Sequence, residues 1–385
     1  MSGFQLDRIV RKNIRALKPY RCARDDFTEG ILLDANENAF GTPFEAEKGI
    51  FKASLNRYPD PHQSPIKERL LKINTAIKST GNIFLGVGSD EVIDLILRIF
   101  CRPGVDKILI TPPTYGMYKV SAQINDVGIE ESFLTPGEFQ LNTKEIKEKI
   151  SSLGDTLKVL FFCSPGNPTG TYLEISSVIE ILECSEFKGI VVVDEAYIDF
   201  VDQKNASATK LLEKYPNLIV MQTLSKSFGL AGIRLGVGFS SPEIIQIMNN
   251  TKAPYNISSL TSQAALDALS DTSISKVHTS LESIKYERKR LAEQLIKLEG
   301  MGDPLGQPDA NFLLIPILGY ASKKPSNLRA KKVYLHLAEQ LKIVIRYRAE
   351  EVNCQGCLRM TVGTPEENSA LVEGLKQSLE KFQID

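Results

Sequence analysis

Seven short apolar runs, mostly separated by spacers of helical or loop length and bounded by Gly, Pro, Ser, Thr or Asp, constrain this chain more than any other feature. Five are near-continuous: IFLGV at 83–87, KILIT at 107–111, LKVLFFC at 157–163, GIVVVD at 189–194 and LIVMQT at 218–223. GIEESF at 128–133 is a weaker sixth. Apolar runs without alternation, joined by helical crossovers, predict a mostly parallel sheet covered on both faces. The seventh, RLGVGF at 234–239, follows LIVMQT after about ten residues, and a parallel crossover needs about a dozen or more. If those two strands pair, they are expected to pair antiparallel.

At 385 residues the chain exceeds the roughly 100 to 200 residues of one domain, which predicts two lobes. After about residue 258 the texture changes to long amphipathic helices interleaved with NFLLIPI, KIVIRYR and CLRMTVG. The division expected is an N-terminal arm over 1–30, a large α/β domain over 31–258 and a smaller α+β domain over 259–385. Charge is balanced, 46 Lys+Arg against 47 Asp+Glu, so neither nucleic acid nor an acidic membrane surface is indicated and any anion site must be local. No apolar run approaches the roughly 18 residues of a membrane span. The basic N-terminus carries Asp7 and no Ser-rich stretch, which argues against a transit peptide, and the scattered cysteines argue for reduced thiols in the cytoplasm. Cys354 and Cys357 form one C-x-x-C, but zinc needs two further ligands that His62, His278 and His336 do not supply at matching spacing. No metal is expected.

The chemistry centres on TLSKSFGLAGIRLG, Thr223 to Gly236, where Lys226 lies between Ser225 and Ser227 with Arg234 eight residues on. A solvated lysine in a Gly-rich loop is the plain alternative. A lysine that forms a Schiff base turns a carbonyl compound into an electron sink, and pyridoxal phosphate is the cofactor that most often uses one. That cofactor needs an anion for its ring nitrogen, donors for its ring oxygen, a cradle for its phosphate and a flat group against its ring. Asp194 ends GIVVVD, where a buried carboxylate is costly without a cation beside it. Tyr197 follows in DEAY, and Asn167 sits in the Pro-restricted SPGNPTG, both suited to donate to the ring oxygen. GVGSDE, with Ser89 and Asp90, follows a strand and opens an apolar helix, so free backbone N–H groups there would meet the phosphate beside Ser225 and Arg234. In PPTYGMY, Tyr115 is the candidate stacking face and Tyr118 is assigned to the core. Arg346, Arg348 and Arg359 lie on late strands and are expected either to face a cleft or to sit on a solvated face.

Together, PYRCARDDF, LDANEN, RYPDP, GVGSDE, SPGNPTG, DEAYIDF, TLSKSFGLAGIRLG, KAPYNIS and CLRMTVGT resemble the histidinol-phosphate aminotransferases. These are pyridoxal-phosphate enzymes of fold type I with an aspartate-aminotransferase-like architecture, and the resemblance covers nearly the whole chain. It implies a mostly parallel seven-stranded sheet plus a smaller α+β domain, and a homodimer with shared sites. It implies that Lys226 bonds the cofactor and shuttles the proton, that Asp194 holds the ring nitrogen, and that Tyr197 and Asn167 bond the ring oxygen. Ser89, Asp90, Ser225 and Arg234 would surround the phosphate, with Tyr58 reaching it from the partner subunit. Arg359 would bind the substrate carboxylate, and Arg346, Tyr20, Asn36 and Asn167 would assist at the substrate. The implied reaction moves an amino group between glutamate and imidazole-acetol phosphate. Broad-specificity aromatic aminotransferases and threonine-phosphate decarboxylases share the cofactor set and are alternatives. A cofactor-dependent DNA-binding regulator lacks room ahead of Tyr20, and an inactive scaffold is at odds with a full set of cofactor groups.

Overall fold

The computed structural model describes residues 27, 30–33, 36, 59–203 and 206–385. In chain order its strands are β1 (Ile31–Leu32), β2 (Ile83–Val87), β3 (Lys107–Ile110), β4 (Gly128–Glu131), β5 (Leu157–Cys163) and β6 (Ile190–Asp194). There follow β7 (Leu218–Thr223), β8 (Leu235–Phe239), β9 (Phe312–Pro316), β10 (Ile343–Val344), β11 (Arg346–Tyr347) and β12 (Cys357–Thr361). Seven of them form one sheet in the order β2-β8-β7-β6-β5-β3-β4. β4, β3, β5, β6 and β7 run parallel, whereas β8 pairs antiparallel with both β7 and β2. The α/β class, the mostly parallel sheet and the antiparallel return after LIVMQT are therefore all present.

The continuous apolar runs are explained by what covers them. Alternate residues of one strand point to opposite faces. On β5 and β6, Val159, Phe161 and Val192 enter one core, and Leu160, Phe162, Val191 and Val193 enter the other. All of these are buried, each contributing on the order of 1.5–3 kcal/mol. A polar residue inside such a strand would break a core, so functional side chains collect where the strands end.

Helix α1 (Gly88–Phe100) starts directly after β2. Gly88 takes φ 69 and donates its N–H to the Arg234 carbonyl at 3.0 Å, which ties the helix start to the beginning of β8. Arg234 itself is left-handed, φ 53. The C-terminal ends of β2, β5, β6 and β7 thus share one sheet edge, and the N-terminus of α1 lies on it. Helix α2 (Met117–Ile124) packs against α1, β3 and β4.

The C-terminal part forms a three-stranded antiparallel sheet, β11-β12-β9, while β1 pairs parallel with β10. Helix α3 (Asp271–Leu295) is capped by Ser270, and α4 (Asn327–Glu339) and α5 (Pro365–Lys381) follow. A capping box of Thr364 and Glu367 starts α5, satisfying donors that the first turn would otherwise leave unpaired. One apolar cluster runs from Leu160 and Val191 to Leu313, Ile315 and Leu371, joining the two sheets through a continuous core. Among the described residues, no helix is long and apolar enough to cross a membrane.

The sharpest packing constraint on the functional edge is Gly236, where an added Cβ would stand 2.4 Å from the Gly88 carbonyl carbon. Because that neighbour is backbone, Gly236→Ala must displace the start of α1. The expected loss is about 1–3 kcal/mol of stability in a urea titration.

Candidate active site

The cleft is built on the strand ends. Register places Cys163 opposite Asp194, Asp194 opposite Met221 and Thr223 opposite Gly236, so the loops after β5, β6 and β7 emerge side by side. They enclose a cavity of about 270 Å³. Asn36, Ser89, Asp90, Tyr115, Asn167 and Asp194 line it. So do Tyr197, Ser225, Lys226, Arg234, Arg346 and Arg359. Tyr20 and Tyr58 lie outside the described residues.

Asp194 is 3% exposed. Its Oδ2 accepts from the Tyr118 hydroxyl at 2.7 Å and its Oδ1 from the Ala196 N–H at 3.1 Å. Burial pushes its carboxyl up to about 6; the Tyr118 and Ala196 donors and the Lys226 ammonium pull the other way, and Asp90 adds to the rise. Lys226 Nζ stands 5.8 Å from the centroid of the Tyr197 ring. Ser227, next to it, donates its hydroxyl to Asp199, which anchors the loop that carries the lysine.

Tyr197 is wedged edge-on against Phe312 at 5.2 Å, and its hydroxyl accepts from Asn36 Nδ2 at 3.0 Å. Burial lifts the phenol to about 12, so it keeps its proton as a donor. Asn36, left-handed at φ 52, is clasped in turn: its N–H donates to Thr361 Oγ1 and its Oδ1 accepts from the same hydroxyl, each at 3.1 Å. Its carbonyl accepts from Asn311 Nδ2 at 3.0 Å. Asn167 Oδ1 accepts from Arg359 Nη1. A guanidinium only donates, so this contact fixes the amide with its NH₂ group as the available donor.

The other end of the cleft is suited to an anion. It holds the N-terminus of α1, the hydroxyls of Ser89 and Ser225, and the Arg234 guanidinium. Ser225 Oγ lies 2.9 Å from Thr223 Oγ1. Arg234 is held by the Ala231 carbonyl at 3.1 Å and by Asp90 Oδ2 at 3.4 Å, and Tyr115 donates to Asp90 Oδ1 at 3.2 Å. Gly88 makes room for this arginine, since a Cβ there would meet Arg234 Nη2 at 2.4 Å.

On the C-terminal side, Arg346 and Arg359 are direct cross-strand partners and both reach the cleft. Like charges opposite each other destabilise a strand pair. Arg359 is 3% exposed, with its guanidinium 5.2 Å from the Phe312 ring centroid. Planar guanidinium forks of this kind suit a carboxylate or a phosphate. Arg348 is not part of this group; it bonds Glu351 at 2.6 Å.

Three features at or behind the cleft escape sequence reasoning. Tyr118, assigned to packing, is fully buried and also donates to Asp194. Thr223 and Cys163 line the cavity as the last residues of their strands. Cys354 and Cys357 are both buried, and the Cys357 thiol is pushed up first by its bond to Cys354 and then by burial. Among the described residues, no group of three or more His, Cys, Asp or Glu is placed to hold a metal ion.

Comparison with known proteins gives the family and the fold. The family model described as aminotransferase class I and II matches residues 28–375. The histidinol-phosphate aminotransferase of Schizosaccharomyces pombe is 50% identical, covering 98% of this chain and 99% of its own. The crystal structure of the histidinol-phosphate aminotransferase from Clostridium acetobutylicum superposes with a TM-score of 0.79 at 26% identity, covering 91% of this chain and 100% of its own. That of the enzyme from Sinorhizobium meliloti, in complex with pyridoxal-5'-phosphate, has the same fold with a TM-score of 0.82 at 20% identity, covering 99% of both chains.

The buried carboxylate has a measurable cost. An acid whose folded pKa is raised binds its proton more tightly when folded, so Asp194 should cost nothing below about pH 4 and its full penalty above about pH 6. In ligand-free protein, Asp194→Asn removes that charge. Its melting temperature should match the wild type near pH 4 and exceed it above pH 6, by an amount equivalent to on the order of 2–3 kcal/mol. Scanning calorimetry across this range checks the sign.

Proposed function

This chain belongs to the class I and II aminotransferases, and from that premise we propose that it is a histidinol-phosphate aminotransferase that uses pyridoxal phosphate. The reaction is the reversible transfer of an amino group between glutamate and imidazole-acetol phosphate, giving L-histidinol phosphate and 2-oxoglutarate, in histidine biosynthesis. One observation carries the reading: Lys226, the buried Asp194 and the facing Arg346 and Arg359 share a single cleft.

The residues fit the cofactor. The cleft's volume, about 270 Å³, is near the roughly 300 Å³ at which small-ligand clefts begin, so it suits a compact aromatic phosphate. Asp194 is a buried anion that lacks a full counter-charge, and a ring nitrogen carrying a proton would supply one. The other end presents a helix N-terminus, two hydroxyls and a guanidinium. When bound, pyridoxal phosphate supplies the electron sink for the carbon that loses its proton.

The chain's own groups do the rest. Lys226 Nζ is the base that takes the proton from the amine-bearing carbon of the substrate and returns one in the reverse half-reaction. Tyr197 O–H and the Asn167 amide donate to the cofactor's ring oxygen, Ser89, Ser225, Arg234 and the start of α1 hold its phosphate, and Tyr115 covers its ring. Arg359 takes the glutamate carboxylate, and Arg346 joins it for a substrate that has a phosphate and no carboxylate. The active unit is a homodimer in which Tyr58 serves the partner's phosphate site; this part rests on the family resemblance of RYPDP.

The deciding assay follows 2-oxoglutarate-dependent consumption of histidinol phosphate, with aromatic amino acids and threonine phosphate as rivals. Preferential use of an aromatic amino acid, or release of carbon dioxide from threonine phosphate, would overturn the substrate assignment. Lys226→Ala should abolish turnover while leaving the protein folded. Arg346→Ala should raise KM for histidinol phosphate by about tenfold or more and that for glutamate much less, reflecting the loss of one charge-assisted contact. Mixing Tyr58→Phe chains with Lys226→Ala chains should restore activity above either parent if the site is shared.

A further inference from the structure

The side of Asp194 turned away from the cleft is occupied by a phenol. Tyr118, on α2, is fully buried; its ring stacks on Phe161 at 4.7 Å and 18° and meets Tyr115 edge-on at 5.6 Å. Packing alone would be met by a phenylalanine, and a buried hydroxyl is costly unless bonded. This one has Asp194 Oδ2 at 2.7 Å.

A carboxylate terminal torsion is broad, so one donor leaves the group free to turn. The Ala196 N–H fixes Oδ1 and Tyr118 fixes Oδ2, and only together do they hold the plane of the carboxylate. The aromatic stack makes the second donor rigid. Tyr115 also bonds Asp90, which bonds Arg234, so the two tyrosines link the Asp194 end of the cleft to its anion end. Burial pushes both the Tyr118 phenol and the neighbouring Cys163 thiol well above their usual values, so neither competes with Asp194 for the negative charge.

We propose that Tyr118 is a positioning residue for amino transfer, aiming the Asp194 carboxylate at the cofactor's ring nitrogen and holding the proton on that nitrogen. This rests on the pyridoxal-phosphate reading above. The donor makes Asp194 a weaker base, so its loss moves the shared proton from the ring nitrogen toward the carboxylate.

The test uses holoenzyme loaded with pyridoxal phosphate labelled with ¹⁵N in the ring. Tyr118→Phe keeps the ring stack and removes one oxygen. Its nitrogen resonance should move toward the neutral form, and kcat should fall about tenfold to a hundredfold with KM for both substrates within about twofold. In an Asp194→Asn background the same substitution should change kcat by less than about twofold, because the two residues act as one unit. Equal losses in both backgrounds, or an unmoved resonance with kcat near wild type, would overturn the proposal. If Tyr118→Phe does not fold, 3-fluorotyrosine at position 118 replaces it; this stronger donor should move the resonance the opposite way, and an unmoved resonance refutes the role. Wild-type protein that gains no visible absorption with pyridoxal phosphate would sink the cofactor reading, and this inference with it. Wild type that binds it, with a silent Tyr118 variant, sinks this inference alone.

Discussion

An ionisable carboxylate at the end of a strand buried on both faces is the constraint on which the rest of this structure depends. Asp194 terminates β6 with hydrophobic cores on either side of its strand, and burial pushes its carboxyl up to about 6. The molecule surrounds it with a phenol, a backbone N–H and an ammonium, which lower that cost without removing it. A site with an unpaid electrostatic cost of this kind binds a cationic ring more tightly than a neutral one. The fold's interior and its chemistry are therefore the same design problem.

The anion-binding groups solve the complementary problem. Overall charge is close to neutral, yet Arg234 stands at one end of the cleft and Arg346 and Arg359 at the other. Arg346 and Arg359 are placed opposite each other by strand register. Their planar, multi-donor heads suit both carboxylate and phosphate, which is what two chemically different amino-group carriers require.

Much of this was legible in the sequence, for identifiable reasons. The central strands stood out because burial on both faces leaves no polar alternation to dilute the signal, whereas β4, at the sheet edge and only partly buried, gave the weaker GIEESF run, and the short connection before RLGVGF gave its direction. Asp194 was visible as the last residue of an apolar run, and Lys226 and Asn167 because each lies within four residues of the end of one. What the sequence did not reveal were relations between distant residues. Tyr118 reads as core because it is core, and its bond to Asp194 spans 76 positions. The opposition of Arg346 and Arg359 is a matter of register, and KIVIRYR breaks into β10 and β11 in a way that periodicity does not show. Arg348, expected on a strand, lies one residue past the end of β11 and pairs with Glu351 outside the cleft.

Among the described residues four hydrogen bonds meet at Asn36, one to and one from the Thr361 hydroxyl, one from Asn311 and one to Tyr197, so one residue ties β12 and the start of β9 to the loop after β6. Three of these bonds lie on the side of β12 and β9 and one crosses to the Tyr197 hydroxyl, so the placement of the small sheet is passed on to the phenol in the cleft through a single side chain.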